Sequence, residues 1–132
     1  MYEVLLCVDR SEARAKAAAR TVADMPLDRE ETRVSVLHVF GENPSGASVN
    51  QVAAARRARD RLTEAGYDVR LLETSGDPAV GIVDTAEDED ADLVVVSGRK
   101  RSATGKLLFG STTQEVMLEL DRPVLACETP EE

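Results

Sequence analysis

Four consecutive apolar residues, Leu93-Val94-Val95-Val96, constrain the fold of this chain more than any other stretch. The run is too short for a helix, and three of its members are β-branched. It therefore reads as a strand that presents apolar side chains to both faces of a sheet. Such a strand needs cover above and below, and crossover helices between parallel strands supply it.

The rest of the chain carries the matching pattern. Tyr2 to Val8 reads as a first strand closed by Asp9, and Thr32 to Phe40 as a second. Tyr67 to Glu73, partly alternating, reads as a third strand nearer an edge, and Pro123 to Cys127 as the last. Helical patterns fill the gaps. Ser11 is an N-cap for a helix to about Met25, with Glu12 in its first turn, an alanine-rich face and Pro26 as its stop. After a turn-rich loop from Gly41 to Gly46, apolar residues from Ser48 to Ala65 follow the helical period, and Gly66 stands at the left-handed C′ position. Asp77-Pro78 opens a helix through Ile82, Val83 and Ala86. Its acidic tail, Glu87-Asp88-Glu89-Asp90, opposes the helix dipole, and solvation of an exposed turn is the expected compensation. Ser111 with Gln114 is a capping-box pattern for a helix to about Leu120, and Thr129 onward reads as a frayed tail.

Strands alternating with helices at this spacing give right-handed crossovers and one α/β domain over residues 1–132, a doubly wound parallel sheet covered on both faces. In such sheets ligands bind beyond the carboxyl ends of the strands, where the strand order reverses. Asp9, Val39 and Gly98 all stand at such ends. After Gly98 comes the densest basic cluster of the protein, Arg99, Lys100, Arg101 and then Lys106, followed by Gly110-Ser111-Thr112-Thr113 at a helix start. A strand that ends in glycine, a cationic loop and the bare N–H groups of a helix form an anion site, with phosphate the foremost candidate.

Charge narrows the partners. The formal net charge is −9, which argues against a nucleic-acid partner bound through a broad basic face. Thirteen arginines against three lysines, with abundant Asp and Glu, suit a surface hydrated in concentrated salt, as in a halophilic source. No stretch reaches the apolar length of a membrane span, and the N-terminus lacks the marks of a signal peptide, so a cytoplasmic protein is expected. His38, the only histidine, sits among apolar strand residues with no triad around it and reads as a packing residue.

The segments VLLCVDRSE, LHV, GDPAVGIVDTA, ADLVVVSGR and LLFGST, with RPVLAC closing the chain, resemble the universal stress protein family in that family's order and spacing. The resemblance implies a five-stranded parallel sheet in the order 3-2-1-4-5, a site between strands one and four, and a homodimer joined along the last strand. It also implies ATP, with Mg2+ as a possible companion of the phosphates. Asp9 would contact the adenosine part, Val39 the adenine, and a loop written G-x2-G-x9-G-(S/T) the ribose and phosphates. Here that loop runs from Ser97 or Gly98 to Gly110-Ser111, with Lys100 or Arg101 where the family has its second glycine. A cation there blocks close backbone approach and offers charge-assisted contacts instead. The implied strand order also separates Cys7 from Cys127 by one strand, roughly 9–10 Å, beyond disulfide reach.

The expected ligand set is therefore Asp9 and Val39 for a nucleoside end, with Ser97, Gly98, Arg99, Lys100, Gly110, Ser111 and Thr112 around the phosphates. No positioned general base accompanies it, so turnover would be slow at most. The competing function is a dimeric interaction module of the same fold without a nucleotide. A phosphoacceptor receiver is excluded because no lysine follows Lys106, and an adenylating enzyme because VDRSEA replaces its SGGxDS loop.

Overall fold

The computed structural model describes residues 1–42 and 46–130. Asn43, Pro44 and Ser45 of the expected turn-rich loop lie outside the described residues, as do the last two residues of the tail. The elements in order are β1 (Tyr2–Val8), α1 (Glu12–Ala23), β2 (Thr32–Phe40), α2 (Ala53–Glu64), β3 (Asp68–Ser75), α3 (Pro78–Asp88), β4 (Leu93–Arg101), β5 (Leu107–Phe109), α4 (Ser111–Glu119) and β6 (Val124–Glu128). The parallel strands run β3-β2-β1-β4-β6, the order the resemblance implies. Register is set by Val4 against Val34 on one side and against Leu93 on the other.

Each strand divides its apolar side chains between two cores, as a sheet covered on both faces requires. Val4, Leu6, Val34, Val36 and Val95 pack beneath α1 and α2 with Ala18, Ala19, Val22, Ala58 and Leu62. Leu5, Leu37, Val94 and Val96 pack beneath α3 and α4 with Ile82, Ala86 and Val116. The alanines of α1 and α2 let those two helices approach closely. Arg29 ties their C-terminal ends together. Its guanidinium donates to the carbonyls of Ala23 at 2.7 Å, Leu27 at 2.8 Å and Ala65 at 3.0 Å, and to the Tyr67 hydroxyl at 2.6 Å.

Four expectations need correction. The fourth strand does not stop at Val96. It continues through an irregularity at Ser97-Gly98, and Arg99–Arg101 pair antiparallel with Leu107–Phe109, adding a sixth strand. The basic segment is thus a hairpin rather than an open loop. Arg99 faces Glu128 on one edge and Phe109 on the other, so β5 lies on the edge β1 occupies nearer the start of β4.

Ser111 is not the N-cap of α4 but its first residue. Gly110 holds the cap position without a side-chain bond, and the Gln114 amide turns back to the Phe109 carbonyl at 2.9 Å. The acidic end of α3 is offset by cations and not left to an exposed turn alone. Arg70 pairs with Glu89 at 2.8 Å, and Arg122 donates to the carbonyls of Ala86 and Ala91, both at 3.1 Å. Thr129, finally, is tied down, its N–H donating to the Arg99 carbonyl at 2.7 Å. The cysteines are free and buried, as expected. No helix among the described residues is long and apolar enough to cross a membrane.

Candidate functional site

A cavity of about 580 Å³ opens at the carboxyl ends of β1, β2 and β4, where the strand order reverses. Because neighbouring residues of a strand point to opposite faces, the cavity straddles the sheet edge. His38 and Phe40 meet it from the α1 side, and Leu37 and Val39 from the α3 side. The beginnings of α1, α3 and α4 form its walls.

Asp9 follows β1 directly and stands half exposed at the rim. Its Oδ1 accepts the Ser11 N–H at 2.8 Å, which shapes the turn into α1, and its Oδ2 accepts from Arg14 Nε at 3.0 Å. A carboxylate has about four lone-pair directions, so this one keeps capacity for a further donor. Arg10 turns over Phe40, its guanidinium carbon 5.7 Å from the ring centroid, within cation–π range.

His38 is only 4% exposed. Its Nδ1 lies 3.1 Å from the Val8 carbonyl, an acceptor only, which places a proton on Nδ1. Burial pushes the imidazole pKa below its ordinary value, and nearby Arg10 adds to that; the Val8 bond, Asp9 and Glu73 act the other way. The ring is therefore neutral near pH 7, with Nε2 an acceptor. The side chain lines the cavity, and Nε2, unbonded among the described residues, is reached by solvent rather than buried without a partner.

The opposite wall depends on one glycine. Gly98 has φ +101°, in the region that favours glycine, and a Cβ there would sit 2.9 Å from Thr113 Oγ1. This close approach lets the Thr113 hydroxyl donate to the Ser97 carbonyl, while Gly110 N–H donates to the Gly98 carbonyl at 3.0 Å. The start of α4 is thereby held against the tip of β4. The first intrahelical bond runs from Gln114 N–H to the Gly110 carbonyl at 3.0 Å. The amides of Ser111, Thr112 and Thr113 precede it, at the positive end of the helix, and these residues line the cavity.

Of the nine residues expected from sequence, Asp9, Val39, Ser97, Gly98, Gly110, Ser111 and Thr112 line this cavity. Arg99 and Lys100 do not. Arg99 turns to the far face and donates to the Ala126 carbonyl at 2.9 Å, beside Thr21 and Cys127. The cations at the cavity are instead Arg10 and Arg14, which sequence reasoning missed along with His38, Thr113 and Thr129 as lining groups. Their spacing of four, immediately after a strand-end aspartate, was the available signal. Glu42 also lines the cavity, so the formal charges of its side chains cancel. Among the described residues, no three His, Cys, Asp or Glu side chains gather where they could hold a metal ion.

Comparison with known proteins bears on the family and the fold. The model of the universal stress protein family matches residues 1–128. A Thermus aquaticus universal stress protein, from the QAH/OAS sulfhydrylase 3′ region, is 32% identical over 134 residues, 92% of this chain and 95% of that protein. The structure of a universal stress protein from Archaeoglobus fulgidus superimposes with a TM-score of 0.76 at 28% identity, over 96% of this chain and 98% of the other. A universal stress protein in complex with cAMP shares the fold, with a TM-score of 0.74 at 23% identity and 98% of each chain covered.

Proposed function

The chain belongs to the universal stress protein family, and on that footing we propose that it is a stress-response module whose strand-end cavity binds an adenine nucleotide. The observation that carries this reading is the meeting, in one cavity, of Asp9 and Val39 from β1 and β2 with Gly110, Ser111 and Thr112 at the start of α4. The first pair offers a carboxylate and an apolar surface, which suit a nucleoside. The second group offers backbone N–H donors at the positive end of a helix, which suit phosphate oxygens. A protein of the same fold holds cAMP.

Binding without efficient turnover is the expected behaviour, because the side chains at the α4 end are hydroxyls with no general base beside them, and that of Thr113 is tethered to the Ser97 carbonyl. Two copies are expected to pair along β6. That strand pairs only with β4 among the described residues, which leaves an edge of backbone donors and acceptors open to a partner.

Calorimetric titration with AMP, cAMP, ADP and ATP, at low and high salt, tests the nucleotide reading, and light scattering tests the pairing. Saturable heat at one nucleotide per chain, lost in Gly110→Val, is expected. Absence of heat with every nucleotide would favour the second reading, an interaction module that works through its β6 edge. A monomer mass at working concentration would remove the pairing.

A further inference from the structure

We infer that the cavity selects a nucleotide bearing a single phosphate group and does not accommodate a triphosphate tail with its magnesium ion. This rests on the reading that the cavity binds a nucleotide, and it narrows which one.

The sequence offers residues 97–110 as a flexible basic loop able to wrap a polyphosphate; the fold keeps Ser97, Gly98 and Gly110 at the cavity and uses residues 99–109 otherwise. Arg99–Arg101 and Leu107–Phe109 pair with each other. At the tip, Ser102 N–H donates to the Lys106 carbonyl at 2.8 Å, and Lys106 N–H to Ser102 Oγ at 3.0 Å. Backbone donors that would have circled successive phosphates are thus spent within the hairpin.

Its cations are directed elsewhere too. Arg99 is bound to the Ala126 carbonyl on the opposite face, and Arg101 to the Gly105 carbonyl at 3.0 Å. Lys100 and Lys106 are exposed and do not line the cavity. Among the side chains that do line it, Arg10 and Arg14 are balanced by Asp9 and Glu42, and Arg14 is already paired with Asp9 at 3.0 Å. What remains for an anion is Arg10, which lies over Phe40 and makes no ion pair among the described residues, and the N-terminus of α4, equivalent to roughly half a positive charge, together with its first amides. That complement matches one phosphate. A triphosphate carries several more negative charges, and the cavity side chains, whose formal charges cancel, offer nothing further to offset them.

The cavity also shows a ligand-facing group that owes nothing to α4. His38 is nine-tenths buried and lines the cavity, its Nδ1 proton is held by Val8, and its Nε2, which solvent reaches, is an open acceptor. An acceptor in that position calls for a donor, which a base amine or a sugar hydroxyl provides. The nucleoside end and a single phosphate therefore account for the polar groups that are open.

Titration of the full-length chain with adenosine, AMP, ADP and ATP, the last two with and without Mg2+, tests the inference. AMP should bind at least tenfold more tightly than adenosine and at least tenfold more tightly than ATP. Gly110→Asp supplies the variant arm. The new Cβ meets nothing within 4 Å, and an aspartate at an N-cap supports helix folding while placing a negative charge where the phosphate would sit. In Gly110→Asp the AMP-to-adenosine affinity ratio should fall towards one with no loss of melting temperature. Lys100→Ala and Lys106→Ala should leave AMP binding unchanged. ATP binding as tightly as AMP, or weakened tenfold by either lysine variant, would overturn the inference while leaving nucleotide binding intact. No binding of any of the four would instead defeat the underlying function.

Discussion

The substitution Gly98→Ala probes the joint on which the site depends. The residue occupies φ +101°, and an added Cβ would lie 2.9 Å from Thr113 Oγ1 and 3.6 Å from the Gly110 nitrogen. An L-residue in such a conformation costs about 1–2 kcal/mol. Moving Thr113 aside breaks its bond to the Ser97 carbonyl and leaves a side chain only 5% exposed without its partner, a further cost of about 1–3 kcal/mol. The sum is about 2–5 kcal/mol. At about 4 °C per kcal/mol for a domain of this size, the melting temperature should fall by roughly 8–20 °C. Gly105→Ala is the control, because φ is +83° there but nothing lies within 4 Å of the new Cβ. It bears only the conformational cost, about 1–2 kcal/mol. Thermal denaturation followed by circular dichroism compares the two. If Gly98→Ala lowers the midpoint no more than Gly105→Ala, the close packing of α4 on β4 contributes nothing and the reasoning fails.

Other perturbations follow from the same contacts. Arg29→Ala strands several backbone carbonyls and the Tyr67 hydroxyl, and should cost about 2–4 kcal/mol in urea denaturation, with Arg29→Lys recovering less than half because an ammonium lacks the planar fork. Burial lowers the His38 pKa in the fold, so the unfolded chain binds its proton more readily; the stability this group supports is full above the unfolded value near 6.5 and declines as pH falls below it. The melting temperature of the wild type should therefore drop more between pH 7 and pH 5 than that of His38→Gln, and equal drops would remove the assignment. Asp9→Asn keeps an acceptor for the Ser11 N–H but loses the exposed ion pair with Arg14, worth about 0–1 kcal/mol, so stability should barely change. AMP affinity of that variant should nonetheless fall at least tenfold by calorimetry, and an unchanged affinity would take Asp9 out of the site.

The parallel sheet and its helices were legible because burial imposes a period. Val94, Val95 and Val96 must be covered on both faces, and the apolar spacing in α2 records which side its helix buries. The hairpin was not legible, since three pairs between Arg99–Arg101 and Leu107–Phe109 depend on residues that stay largely exposed and so leave no apolar alternation on the β4 side. Composition misled in the same place. A cluster of Arg and Lys beside a glycine suggests an anion loop, but where each guanidinium points is decided by the nearest free carbonyl, Ala126 for Arg99 and Gly105 for Arg101. His38 was read correctly as a packed residue, yet its second nitrogen became visible only once Val8 was seen to hold the first.

The central claim is that Asp9, Val39 and the start of α4 serve one ligand. Amide chemical-shift mapping of the labelled chain during titration with AMP tests it most directly. The account predicts that the amides of Asp9, Arg10, Val39, Ser111, Thr112 and Thr113 shift together along one saturation curve. Shifts confined to the hairpin from Lys100 to Leu108, with those amides unmoved, would contradict it.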